Sequence, residues 1–461
     1  MQTLAGLDSS HVRAVSEGEP DWLASFRQEA LERYESLPVE VSPLYTKYTD
    51  AGRLDPAMVA LPGGGAGGEG GGMPAFLKGR LGELAGEARM VQAGPGANDV
   101  DVPSDLGIRV VPIMEAASSM PDVLRGALES IRPTPDRFSA LCCAAFSSGS
   151  LVVIPEGVRV ERPVHLVECL PGGASSISLT VVSAGASSSA TVVQEAYSAD
   201  SDGQARIGLF CGDVGGGARL GVTTLQMMGA KSADFSTRVS RLAAGARVDW
   251  YTGLFGASMS RYRTEYRLAG EGASAADSEV AFGSGSQTFD VQADLRHDAP
   301  ATEGRVVEKS ILRGSSRSLF KGMIRINEGA SKSNSFLSGR SILLDPEAKS
   351  DAIPGLEILT NDVKATHSAS VAQIDEEQIF YLASRCLSRA EAERTIVEGF
   401  LEPLSRRMPV RVRAWIAHLV ESKWEGRQLS INTDEELERL VEVEETRYNE
   451  DAEIEQHYKY R

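Results

Sequence analysis

From about Leu141 to Lys364 helical signals nearly vanish, and the chain runs as short alternating segments such as Val158-Arg-Val-Glu161 and Ser176-Ile-Ser-Leu-Thr-Val181. Alternation with period two sends successive side chains to opposite faces, so each run reads as a strand with one inward side. Gly, Ala and Ser separate the runs. Gly-Ala pairs begin at 217, 245 and 272, in steps of 28 and 27, and another begins at 329, two steps further on. Companion pairs begin at 229 and 256, while those at 173 and 185 fit the spacing poorly. This spacing predicts the coil repeat of a β-solenoid, in which each turn stacks on the last and tight corners demand small residues.

The flanks read as helix. Trp22, Leu23, Phe26, Ala30, Leu31 and Tyr34 recur at three- and four-residue intervals, marking an amphipathic helix capped by Asp21 and ended by Pro38. Further helices are expected over Met73 to Met90 and Met120 to Ile131. Between the first two lies a segment with eight glycines in residues 63–72, read as a surface insertion because no Lys-Ser/Thr follows to make a phosphate loop. After the strands, Asp375 opens a helix, and Ser388-Arg-Ala-Glu391 is a capping box for one that turns Ile396, Val397, Phe400 and Leu401 inward. Pro409 ends that helix, and Val410 to Trp424 forms another. A second capping box, Thr433-Asp-Glu-Glu436, begins a tail in which Asp434 to Gln456 holds 11 acidic and 2 basic residues.

Charge and composition narrow the function. The 461 residues carry 47 Lys and Arg against 64 Asp and Glu, a formal charge of −17, more than half of it in the tail. Nucleic-acid and anionic-membrane binding need clustered cations, so neither is expected. Hydrophobic residues at 42% with aromatics at 6% imply a core of small and branched side chains. No run approaches the ~18 apolar residues of a membrane span and Met1 to Asp21 lacks an apolar signal core, so a cytoplasmic protein is expected. Cys142, Cys143, Cys169, Cys211 and Cys386 form no CxxC pair and no zinc-ligand spacing, which fits reduced thiols. Cys142-Cys143 lies in an apolar run and should pack like a small hydrophobe.

Motifs for enzyme chemistry do not occur: there is no GxxxxGK[ST], GxSxG or HExxH. Of six histidines, two sit in suggestive places, His297 in Leu-Arg-His-Asp-Ala and His367 in Lys-Ala-Thr-His-Ser, where the strand pattern ends. A neutral imidazole there could ligate iron or zinc. Such a histidine is more often a packed, hydrogen-bonded side chain.

The stretch from Asp351-Ala-Ile-Pro-Gly-Leu through Ala365-Thr-His-Ser-Ala-Ser to Arg385 closely resembles the C-terminal signature of the SufB/SufD family. Arg296-His-Asp-Ala, Ser318-Leu-Phe-Lys-Gly-Met-Ile-Arg-Ile326 and Glu328-Gly-Ala-Ser-Lys-Ser-Asn334 are similar to its core, and Pro20 to Leu37 looks like its N-terminal helix. The resemblance covers most of residues 20–425. It implies a mainly β fold, a right-handed parallel β-helix with α-helical segments at both ends, acting in iron–sulfur cluster assembly. The corresponding division is an N-terminal helical region over 1–140, a β-helix core over 141–364, a C-terminal helical domain over 365–428 and the acidic tail over 429–461.

The same resemblance implies a non-catalytic scaffold that pairs with a SufB-like subunit and docks SufC, an ABC-type ATPase, through Asp375 to Trp424. Members of the SufB type typically carry His-Glu where this chain has His367-Ser368, and a Cys within Ser338 to Ser341; neither is present, so the chain looks like the SufD branch. Many of that branch have Cys where Ala365 stands. His367 is then the one candidate iron–sulfur cluster ligand carried over, serving a transient cluster at a subunit interface rather than a tightly bound cofactor. Two alternatives are a self-sufficient homodimeric SufB-type scaffold and, from another class, a β-helix polysaccharide lyase or hydrolase.

Overall fold

The computed structural model describes residues 7–38, 75–93, 98–170, 175–198, 205–432 and 437–446. The glycine-rich segment 63–72 and the capping box at 433–436 lie outside these residues. The chain opens with helices α1 (Ser9–Val15), α2 (Asp21–Ser36) and α3 (Ala75–Glu83), then strands β1 (Ala88–Ala93), β2 (Asn98–Asp101) and β3 (Arg109–Pro112). Helices α4 (Ile113–Ser119), α5 (Pro121–Ile131) and α6 (Arg137–Ala145) follow.

Sixteen strands then alternate between two sheets. The first eight are β4 (Ser148–Ile154), β5 (Val164–Leu170), β6 (Ser176–Ala184), β7 (Ser189–Ser198), β8 (Ala205–Val214), β9 (Arg219–Met227), β10 (Ala233–Leu242) and β11 (Arg247–Leu254). The rest are β12 (Met259–Leu268), β13 (Ser274–Gly283), β14 (Thr288–His297), β15 (Glu303–Leu312), β16 (Arg317–Ile326), β17 (Asn334–Leu343), β18 (Lys349–Ile358) and β19 (Lys364–Gln373). Even strands from β4 to β18 form one sheet and odd strands from β5 to β19 the other, all paired in parallel, which makes a β-solenoid of about seven turns. Helices α7 (Glu376–Ala383), α8 (Arg389–Ser405) and α9 (Val410–Glu425) close the fold.

The Gly-Ala pairs are corners. Gly217, Gly245 and Gly272 hold φ of 67°, 65° and 69°, the left-handed region that glycine enters without steric cost. Their N–H groups donate to Ala244, Glu271 and Pro300 carbonyls of the next turn at 2.9, 2.8 and 3.1 Å. The alanine after each glycine points inward and is fully buried. Ser187, Ala301 and Lys332 take the same left-handed position in other turns. The pair at 329 departs from this scheme: Ala330 is buried, but the left-handed residue of that turn is Lys332.

Three apolar clusters hold the layers together. One fills the lumen between the sheets, with Trp250, Tyr262, Tyr266, Phe289, Phe320 and Leu337. The second packs α2, α5 and α6 on the outer face of the even sheet, and the third packs α3, α8 and α9 on the outer face of the odd sheet. Cys142 and Cys143 are fully buried in the second cluster, as the apolar run predicts, and burial pushes both thiols well up.

Several local readings need correction. The helix expected over Met73 to Met90 stops at Glu83; Gly86 takes φ 83°, and Ala88 onward pairs with β5, so tertiary pairing overrides the helical pattern. Asp21 is the first helical residue and not the cap, which is Pro20 without a side-chain bond. Strand structure also runs past Lys364 to Gln373. Within the acidic tail, residues 437–446 are helical and Leu437 is only 2% exposed, so this stretch is packed.

At its N-terminal end the solenoid is finished by antiparallel strands: β2 pairs with β1 and β3 with β4. Both are four residues long, β2 carries exposed Asp99 and Asp101, and β3 ends in Pro112. Short, charged or proline-bearing edges resist pairing with other chains. At the C-terminal end β18 and β19 are the last strands of their sheets.

Candidate functional site at the open end of the solenoid

The terminal turn is built like the others, but no further strand covers it among the described residues. In β17 the inward residues include Leu337, which is fully buried in the lumen cluster. Register pairs Leu337 with His367 and Ser335 with Ala365. Ala365 packs against the lumen cluster, and His367, two residues on, shares its face. His367 is nonetheless exposed, so it stands at the mouth of the lumen. It lies within a strand, not at a junction ahead of the helices.

Around it the signature positions converge. Ser338 and Ser368 are register partners on the opposite face of the same strands, their hydroxyls 2.8 Å apart. Ser341 of β17 reaches Ser350 of β18 across the lumen at 2.7 Å. Positions separated by about thirty residues in sequence therefore sit side by side, joining the two places that the family resemblance singles out. Exposed apolar side chains lie on the terminal strands, Leu356, Ile358 and Val371, with Leu359 just beyond β18; Phe380 and Tyr381 on α7 are also exposed, Phe380 at 76%. Among the described residues no group of three or more His, Cys, Asp or Glu lies close enough to hold a metal ion.

The other candidates resolve differently. His297 is fully buried, with Nδ1 2.8 Å from Thr302 Oγ1 and Nε2 3.0 Å from Ser335 Oγ; burial lowers it to about 4, leaving a neutral, hydrogen-bonded core residue. Cys169 and Cys211 are buried, and Cys386 is exposed at φ 70° in a turn that favours glycine.

Charges inside the fold escaped the sequence reading. Arg206 bonds Glu168 at 2.7 Å and Asp234 at 3.2 Å, and Arg238 lies 3.9 Å from Glu279. Glu279 is the register partner of Glu308, whose carboxyl burial pushes up to about 8. On the odd sheet, His165 lies 2.8 Å from Glu87 and 3.2 Å from Glu195, which also takes Arg80 at 2.8 Å. The available signal was phase: Glu168, Glu195, Arg206, Asp234, Arg238, Glu279 and Glu308 occupy strand positions, while Arg80 on α3 and Glu87 ahead of β1 reach them from outside the strands.

The described residues form a two-sheet parallel solenoid with helices on both flanks, finished by antiparallel strands at one end and ending in β18 and β19 at the other. The family model for the SUF system FeS cluster assembly SufBD core domain matches residues 170–400. An iron-sulfur cluster assembly SufBD family protein of Staphylococcus epidermidis is 27% identical over 311 residues, 66% of each chain. A relative of the same description from Mycobacterium bovis is 33% identical over 209 residues, 45% of this chain and 25% of the relative. The chain thus spans just under two thirds of the first relative and a quarter of the second. This chain belongs to the SufBD family of iron–sulfur cluster assembly proteins. That is an assembly-scaffold family, which removes the support for a polysaccharide-active enzyme. Among the described residues, no helix is long and apolar enough to cross a membrane.

Proposed function

We propose that the chain is a SufD-type scaffold subunit whose open solenoid end pairs with a SufB-type chain, with His367 offering one ligand to the cluster assembled there. The observation that carries this reading is the exposed, lumen-facing His367 in a terminal strand whose far edge has no partner among the described residues. Unpaired strand edges invite a further strand, and the apolar rim of Leu356, Ile358 and Val371 would be covered by it. The cluster is cargo, and one imidazole cannot hold it; thiolates from the paired chain would complete the set.

In this reading the SufC ATPase docks on α7 to α9. Of these, α8 and α9 are tied to the solenoid by two lysines: Lys309 of β15 donates to the Phe400 carbonyl, and Lys423 of α9 donates to the Phe255 carbonyl at 2.5 Å and to Gln287 Oε1 at 2.6 Å. Motion of a docked ATPase would reach the sheets through these ties. Co-expression with SufB-type and SufC-type partners tests the proposal. A stable complex that assembles clusters, and loses assembly but not cohesion with His367→Ala, is expected; failure of the three chains to associate would overturn it. The homodimeric alternative predicts instead that the isolated chain binds a cluster on anaerobic reconstitution.

A further inference from the structure

One stretch of the lumen holds more acid than base. Asp277 and Glu279 of β13 and Glu308 of β15 share the inward face with Ala275, Ala281 and Val306, and all three acids are buried. Glu279 and Glu308 are register partners. From the facing sheet Arg238, stacked between the Trp250 and Tyr262 rings, comes within 3.9 Å of Glu279 and donates to Thr252 Oγ1 at 2.9 Å. Tyr266 donates to Asp277 Oδ2 at 2.8 Å. Asp277 Oδ1, both carboxyl oxygens of Glu279 and Glu308 Oε2 have no hydrogen-bond partner among the described residues. Three carboxyls thus face one guanidinium in a buried space, which favours the protonated acid over the anion.

A file of hydroxyls leads from these acids toward the open end. The Ser310 hydroxyl donates to Glu308 Oε1, and Ser310 Oγ lies 3.0 Å from Ser318 Oγ of the facing sheet. One turn on, their register partners Ser341 and Ser350 repeat the contact at 2.7 Å. The two hydroxyl pairs are one strand step apart, about 4.8 Å, a gap that a single water spans. Ser310, Ser318 and Ser341 are buried, and Ser350 is half-buried on the terminal strand β18. The straight route from Glu308 is shut, because its partner in the next turn is Gly339 and the Phe320 ring fills the space a side chain there would need. Ser350 stands at the same mouth as His367 but toward another corner: Ser341 pairs with Val371, four residues along β19 from His367, or about 13 Å.

We infer that this hydroxyl file is a proton path, and that Glu308 at its inner end takes up and returns protons released where the cluster is assembled. The inference rests on the open end being the assembly site. Thiols and hydrogen sulfide bind iron as anions, so each S–H bond broken there frees a proton. With a paired chain over the mouth, that proton passes along the serines, each oxygen accepting one proton and giving up its own, and forms an O–H bond on the Glu308 carboxylate. Burial pushes this acid up to about 8, close to the pH at which a group both takes and gives a proton readily. Glu308 acts through the serines and touches neither iron nor sulfur.

Infrared spectra of the isolated full chain, titrated with pH, test the inner end of the path. A protonated-carboxyl band that fades as pH rises through about 8 and is missing in Glu308→Gln is expected; a native chain without such a band overturns the inference. Cluster assembly by the complex with SufB-type and SufC-type chains is then followed against pH. The native rate should rise as Glu308 loses its proton, and Glu308→Gln should remove that limb and slow assembly by about tenfold or more. Ser318→Ala interrupts the file and leaves the carboxyl in place, so it should slow assembly similarly while keeping the infrared band, which a purely structural role of Glu308 would not produce. A native rate and pH profile in both variants overturns the path. A native complex that assembles no cluster defeats the scaffold reading, and the path with it, whereas the infrared titration reads Glu308 in either case.

Discussion

His367 is the register partner of Leu337, yet Leu337 is fully buried and His367 is exposed. The two occupy equivalent places in consecutive turns. What separates them is that another turn follows Leu337, whereas among the described residues none follows His367. A residue at an inward position thereby becomes available to a ligand without any special local conformation.

Because His367 is exposed, His367→Ala should change unfolding free energy by no more than about 0.5 kcal/mol. Denaturant unfolding checks this, alongside cluster assembly in the complex. A large loss of stability would mean that any loss of assembly reflects misfolding.

Pairing at the open end should be sensitive to the terminal strand. Val371 is 43% exposed, and Val371→Asp would place a charge in the surface to be covered. Sedimentation should show weaker association with a SufB-type chain and an unchanged monomer fold.

Corner glycines fall into two kinds. A side chain at Gly245 meets only Gly217 atoms at 3.9 Å, so Gly245→Ala suffers mainly from its φ of 65°, at about 1–2 kcal/mol. At Gly270 a Cβ would lie 2.0 Å from the Ala244 backbone nitrogen, and Gly270→Ala should cost more than Gly245→Ala, at about 3 kcal/mol. Urea unfolding of the two variants would show the order.

His165 gives the fold a pH dependence. Burial would lower its pKa, but hydrogen bonds to Glu195 and Glu87 outweigh that and raise it above the ordinary 6.5. The imidazolium's contribution is therefore complete below pH 6.5 and is lost as pH rises through the raised value. Stability measured against pH should fall over that window in the native chain, and the fall should be absent in His165→Gln.

Glu444→Ala would leave Arg413 buried without its carboxylate, 2.9 Å away in the native chain, a change that costs about 3 kcal/mol in such pairs. Hydrogen exchange should then quicken across residues 437–446, with the solenoid strands unaffected.

Much of the solenoid was legible because its corners use glycine and alanine for a steric reason, seen at Gly217, Gly245 and Gly272. The corners at Ser187, Ala301 and Lys332 were not, since their residue types give no hint of a left-handed backbone. Capping at Ser388 and Glu391 was readable from side-chain chemistry, and both bonds form. Ala88 to Met90 looked helical because the register partner of Ala88, Val164 of β5, lies 76 residues away. The placement of His367 came from a family resemblance; its position at the mouth depends on register with Leu337, which one strand's sequence does not encode. Buried pairs such as Arg206 with Glu168 were missed because local patterns count charge as surface.

The unequal ends of the solenoid set a limit on assembly. Linear repeats with two adhesive ends grow into fibres, because each addition regenerates the surface it consumed. Here β2 and β3 terminate one end with short antiparallel strands, so among the described residues a single end remains at which the sheets can continue. Two chains joined through those ends have spent both. If two chains join as proposed, the geometry counts to two and stops: a parallel-strand architecture prone to unlimited stacking would become a discrete pair, with His367 enclosed at the seam.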